Sequence, residues 1–216
     1  MKVWVPYLSI FLAVTLSILA CSTGLQATPR PASGETLFKD DFSNPESGWD
    51  RIQDSGGSLD YADGKYQMVV NTADTDVWAN PGQKFGDVSV QVRAGKVDGA
   101  DNNDYGVICR YMDSDHFYFF VISSDGYYGI GKVKDGQFLM VNNADMLPSE
   151  DIHKGDVTNM IQADCVGSTL SLTVNGKLLD TQKDSEYTAG DVGLLAGTFT
   201  EAGVKVEFDD FIVKMP

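Results

Sequence analysis

The stretch Thr-Leu-Ser-Leu-Thr-Val-Asn-Gly-Lys-Leu-Leu-Asp-Thr at 169–181 alternates apolar and polar side chains on either side of Asn175-Gly176. A period of two predicts strands with one face on a core, and Asn-Gly tolerates the positive φ of tight turns that fold strands back antiparallel. The same turn chemistry recurs at Asp63-Gly64, Asp125-Gly126 and Asp135-Gly136. Runs rich in Val, Ile, Tyr and Phe fill 77–80, 88–97, 105–111, 117–123, 127–134, 137–141, 157–165, 192–197 and 204–214. No segment holds a helical period over three turns, and only 147–153 reads as a scrap of helix. Many short strands with regular turn signals predict an all-β fold, a two-sheet antiparallel jelly-roll sandwich.

The beginning of the chain is written differently. Lys2 precedes a mostly apolar run over 3–20, and Ile18-Leu19-Ala20-Cys21 closes it in a form that resembles the lipobox of bacterial lipoproteins. That resemblance implies a signal peptide over 1–20, a lipid on Cys21 and an extracytoplasmic, membrane-anchored location. The run is near the roughly 18 apolar residues of a spanning helix, so a retained anchor competes with it, as does ordinary secretion. Pro6 and the small residue Ala20 weigh against the retained anchor. All three readings export the body of the protein. Residues 21–34 carry Ser, Thr, Gly, Pro and Ala with too little apolar surface to offset the entropy of ordering, and read as a flexible tether to one domain over 35–216.

Sixteen Lys and Arg stand against 31 Asp and Glu, a formal charge of −15. Such a body repels phosphate backbones and anionic headgroups, which argues against nucleic acid as a partner and against peripheral membrane binding by charge. Cys109 and Cys165 form an even pair on separate apolar runs of an exported domain, and a disulfide between them is expected, with two buried free thiols as the alternative.

Five short elements occur in order: Leu37-Phe38-Lys39-Asp40-Asp41-Phe42 with Gly48-Trp49, Tyr61-Ala62-Asp63-Gly64-Lys65-Tyr66, Tyr105-Gly106-Val107-Ile108-Cys109-Arg110-Tyr111, Val174-Asn175-Gly176-Lys177, and Val206-Glu207-Phe208-Asp209-Asp210-Phe211. Together they resemble concanavalin A-like lectin/glucanase jelly rolls, in particular the LamG-like group that includes 3-keto-disaccharide hydrolase-like domains of bacterial surface lipoproteins. The resemblance implies neighbouring first and last strands and a tendency to bind sugar. It also implies a structural calcium near Asp40, Asp41, Asp209 and Asp210, the acids that such strand pairing would bring together.

Glucanases of that superfamily work with two glutamates around an aspartate on one strand. Here Glu207 and Asp209 are present but Phe211 stands where the second glutamate is needed. Neither His116 nor His153 sits in a zinc or serine-hydrolase spacing. Sugar recognition instead uses aromatic rings under pyranose faces with polar groups beside them. Trp78, Arg110, Tyr118 and Tyr128, with His116 at the rim, are the candidate ligand-binding residues for a polysaccharide or cell-surface glycan. The competing expectation is that the tyrosines fill the core. The functional expectation is a non-catalytic, surface-tethered glycan-binding lipoprotein. The alternatives are a glycoside hydrolase of the keto-disaccharide kind, marked by converging carboxylates, and a structural lipoprotein docking a protein partner through a dry apolar patch.

Overall fold

The computed structural model describes residues 32–141 and 145–216. The expected signal peptide, Cys21 and the tether up to Pro31 lie outside the described residues. Ala32 to Gly34, expected in the tether, form a turn against the domain: the Gly34 amide donates to the Met215 carbonyl (2.7 Å) and the Glu35 amide to that of Ala32 (2.9 Å).

All described secondary structure is strand, in two antiparallel sheets. The first sheet runs β14 (Lys177–Lys183), β13 (Thr169–Val174), β12 (Asn159–Val166), β6 (Val88–Asp98), β16 (Val204–Lys214), β4 (Lys65–Val70), β3 (Gly57–Ala62) and β2 (Ile52–Asp54), and β1 (Thr36–Asp40) also pairs with β16. The second runs β10 (Gln137–Met140), β9 (Tyr127–Lys134), β8 (His116–Ile122), β7 (Asn103–Asp113), β15 (Asp191–Thr198) and β5 (Thr75–Ala79), with β11 (Leu147–Pro148) against β9. This is the expected jelly-roll sandwich, and its first and last strands are neighbours through Asp40 opposite Phe211.

Turn chemistry acts as read. Asp63-Gly64, Asp135-Gly136 and Asn175-Gly176 all hold positive φ at both residues, the requirement of a type I′ hairpin. Asp125-Gly126 belongs instead to a four-residue connection in which the Gly126 amide donates to the Ser123 carbonyl (3.0 Å). The helical expectation at 147–153 is corrected. Leu147 pairs with Tyr128 and Pro148 with Tyr127, so the segment starts as a short strand against β9.

The sheets bury their faces unequally. Strands β4, β6, β12 and β13 of the first sheet alternate buried and half-buried positions, so one face meets the core and the other meets water. Strands β7, β8, β9 and β15 of the second sheet are buried almost throughout. Their inner side chains, among them Tyr105, Val107, Tyr118, Phe120 and Ile130, join the inter-sheet core. Their outer ones form a second apolar cluster of Ile108, Phe117, Phe119, Val121, Val133 and Leu195, against which Trp78, Tyr111, Met140 and Met146 pack. Cys109 on β7 is bonded to Cys165 on β12, with Cα atoms 6.8 Å apart, so the expected disulfide spans the two sheets.

Candidate functional site

The second sheet carries a cavity of about 610 Å³ on its outer face, within the size range of ligand pockets. Its floor comes from a strand order that no local pattern encodes. β15 lies between β5 and β7, and Gly197 of β15 pairs with Asp76 on one side and Asp104 on the other. Having no side chain, Gly197 leaves the two carboxyls free to lean together. A methyl group there would meet Asp76 Oδ1 at 2.0 Å and Asp104 Oδ1 at 2.2 Å, so the two oxygens are no farther apart than the sum of those distances.

Two carboxylates so close and so buried cannot both ionise cheaply. Asp104 is 8 % exposed, and its Oδ1 receives no hydrogen bond from any donor of the described protein. Burial raises its carboxyl well above the ordinary range, and the charge of Asp76 raises it further. Burial raises Asp76 as well, while a hydrogen bond from Asp104 opposes that rise. The pair therefore retains a shared proton more readily than a lone carboxyl would.

Aromatic and thioether side chains form the walls. Phe119 lies against Phe138 with ring centroids 5.4 Å apart, Tyr127 and Phe138 are each about two-fifths exposed, and Met140 and Met146 close one side. Asp125 and Asp145 add two further carboxylates at the rim. The rim is pinned from below. Buried Asn103 donates to the Ala100 carbonyl (2.6 Å) and to Ser124 Oγ (3.1 Å), and accepts from the Ser124 amide (3.2 Å). Ser123 Oγ donates to Asp125 and accepts from the Tyr127 amide (3.1 Å). A second cavity, of about 540 Å³, opens between Ile52, Leu59 and Val77 at the sandwich edge, and Asp76 borders both.

The five residues expected to bind ligand do not form one exposed site: Arg110, His116 and Tyr118 all touch Tyr187, but Arg110 and Tyr118 are buried, and Trp78 lies elsewhere. Tyr118 and Tyr128 belong to the inter-sheet core. The Tyr118 hydroxyl donates to Asp184 Oδ1 (2.5 Å) and that of Tyr128 to the Leu179 carbonyl (3.3 Å). Arg110 is 1 % exposed. A bulge after Cys109 puts Arg110 at φ +53°, which breaks the strand's alternation, and its guanidinium donates to the Gly167 and Tyr187 carbonyls (2.9 and 2.8 Å) and to Asp87 (3.0 Å). His116 is paired with Asp113 (2.7 Å) and Asp135 (3.4 Å) at the β8 end. Trp78 alone lies on the outer face, 5.3 Å from the Phe117 ring, and lines the edge cavity.

The four aspartates proposed for calcium are also divided. Asp40, Asp41 and Asp210 border one shallow cavity, whereas Asp209 borders another with Lys65 and Glu207. A register shift after Asp209, with Asp210 at φ +52°, separates neighbours that plain alternation would have kept in line. Both Asp40 oxygens already accept protein donors, the Phe42 amide (2.8 Å) and the Trp49 indole (2.9 Å). Among the described residues no three His, Cys, Asp or Glu side chains are grouped to hold a metal ion.

Asp76, Asp104, Phe119, Tyr127 and Phe138 escaped the sequence reading. Two signals pointed to them: acids inside or at the start of apolar strands, and Gly129 and Gly131 alternating on one face of a strand where side chains are otherwise large.

No family model matches the sequence, and no curated protein does. Solved structures do resemble the fold. A carbohydrate-binding module, CBM66 from Bacillus subtilis, aligns with TM-score 0.63 at 14 % identity over 77 % of this chain and 95 % of its own. A Bacillus subtilis protein of unknown function with a galectin-like fold aligns with TM-score 0.60 at 15 % identity over 85 % and 97 %. The Bacillus licheniformis β-glucanase aligns with TM-score 0.58 at 10 % identity over 87 % and 100 %. At these identities the likeness is one of fold.

Proposed function

We propose that this chain is a non-catalytic glycan-binding protein, exported and held at the outer side of a bacterial membrane by lipid on Cys21, whose outer-face cavity holds a saccharide. The observation that carries this reading is the meeting of exposed rings, Tyr127 and Phe138, with carboxylates, Asp76 and Asp125, in one cavity. Pyranose rings present C–H faces to aromatic side chains and hydroxyls to fixed acceptors, so this combination suits them. A structural neighbour described as a carbohydrate-binding module supports it through the shared fold.

The converging acids favour a hydrolase as the second reading, but their spacing argues for binding. Retaining glycosidases hold their carboxyls about 5–5.5 Å apart and inverting ones about 6.5–9.5 Å apart. The Asp76 and Asp104 oxygens are closer than either and share a proton, which leaves no room between them for a glycosidic bond or a water. The four rim and floor carboxylates also distinguish the cavity from a dry protein-docking patch.

A glycan array probed with the full-length, detergent-solubilised chain tests the reading. Retention of at least one glycan is expected, weakened about fivefold or more by Phe138→Ala or Tyr127→Ala, since such stacking contributes on the order of 1 kcal/mol. An array with no retained glycan ends it. Mass spectrometry of the membrane-extracted protein is expected to find a diacylated N-terminal Cys21, and an intact Met1 would refute the anchor.

A further inference from the structure

The geometry points to a saccharide carrying a free, protonated amine as the occupant of the outer-face cavity, with its ammonium seated on the Asp76–Asp104 pair. The inference rests on the glycan-binding reading and narrows it to a class of sugar. Three observations carry it. The first is the Asp76–Asp104 pair at the cavity floor, crowded together over Gly197, with no backbone or side-chain N–H of the described protein donating to Asp104 Oδ1. Two carboxyls so placed repel when both ionise, and a cationic ligand that reaches the pair from the cavity relieves that cost on binding.

The second is the sign of the charge. Asp76 from β5, Asp104 from β7, Asp125 from the β8–β9 connection and Asp145 ahead of β11 all face the cavity, and among its described lining residues there is no Lys, Arg or His. A uronic acid or a sulfated sugar would meet four carboxylates and no cation. A neutral sugar would leave the buried pair competing for hydroxyl hydrogens. An ammonium, compact and with three donors, satisfies both carboxyls at once and takes over the role of the shared proton.

The third is the wall. Phe119, Tyr127 and Phe138 flank the acids, and aromatic faces attract both a cation and the C–H face of the pyranose that bears it. The raised affinity of the carboxyl pair for protons is the same field acting on a smaller cation.

The test uses the full-length chain in detergent with two probes, a β-1,4-linked glucosamine hexamer and its fully N-acetylated counterpart, titrated at constant ionic strength. We expect the amine form to bind about tenfold or more tightly, the margin of a charge-assisted hydrogen bond over a neutral one. Asp104→Asn and Asp76→Asn should each remove that margin, while Asp63→Asn, which deletes one charge at an exposed distant turn, should preserve it. Equal binding of the two hexamers, with the neutral one retained, overturns the amine assignment and leaves the glycan reading standing. An equal loss in Asp63→Asn and in the pocket variants overturns it too, because net charge alone then explains the preference. Failure of every glycan, acetylated or not, removes both.

Discussion

Phe119 lies across Gly131 on the β8–β9 ladder, its ring occupying the space a side chain on the glycine would need. The two residues pair directly, and a Cβ on Gly131 would meet Phe119 Cζ at 2.0 Å. Phe119 is also part of the cavity wall. Gly131→Ala is therefore expected to push the ring off the sheet and into the cavity, costing about 1–3 kcal/mol and lowering glycan retention. Thermal melting and the array read the two effects, and a variant with unchanged melting and retention would show that the ring is free to move elsewhere.

The proton shared by Asp76 and Asp104 makes stability fall as pH rises. Both carboxyls hold protons above the ordinary range, so the folded state binds more protons than the unfolded chain. Their contribution is fully favourable below the unfolded carboxyl value, about 3.9, and is lost as pH rises through the folded values. Asp104→Asn removes the buried acid, so the variant is expected to melt above the wild type at about pH 8 and to lose that advantage near pH 4. A constant difference across that window would show that the pair does not titrate as a unit.

Cys109 and Cys165 hold the two sheets together across a sequence separation of 56. Loop-closure entropy for such a bridge is about 4 kcal/mol, and reduction is expected to lower the melting temperature by roughly 8–16 °C. Non-reducing peptide mapping should recover the linked pair, and two alkylatable thiols in the native protein would refute it.

Tyr118 separates core from surface directly. Its hydroxyl donates to Asp184 and accepts from the Tyr187 amide (3.1 Å). Burial would raise the Asp184 carboxyl, but hydrogen bonds from Lys132 (2.6 Å) and Tyr118 overcome it and hold the group below its ordinary range. Tyr118→Phe leaves both partners short of a bond and is expected to cost about 1–3 kcal/mol, without changing glycan retention. The reverse outcome would place the ring at the ligand.

The sheets were legible because they are written locally. Period-two alternation and Asx-Gly turns specify hairpins within a dozen residues, and the β13–β14 hairpin formed as read. Alternation fails where the backbone leaves the pleat: strict period two would put Tyr111 on the face of Cys109, but the bulge at Arg110 sends it to the outer cluster. The cavity was illegible for a different reason. Asp76 and Asp104 meet only because β15, far along the chain, inserts between their strands, and strand order is a property of the whole sheet. The aromatic residues misled because ring-rich strands serve a core as well as a binding face, and only the assembled sandwich says which side is wet.

The disulfide also sets how the domain bears mechanical load. The chain enters through β1 in the first sheet, whereas the cavity belongs to the second. With the N-terminal segment held and the cavity occupied, as proposed above, tension between them would be carried from one sheet to the other through the core. Cys109–Cys165 lies across that core, so separation there must strain a covalent bond before the core can open. In shear flow the oxidised domain should keep its grip at forces that peel the reduced one apart.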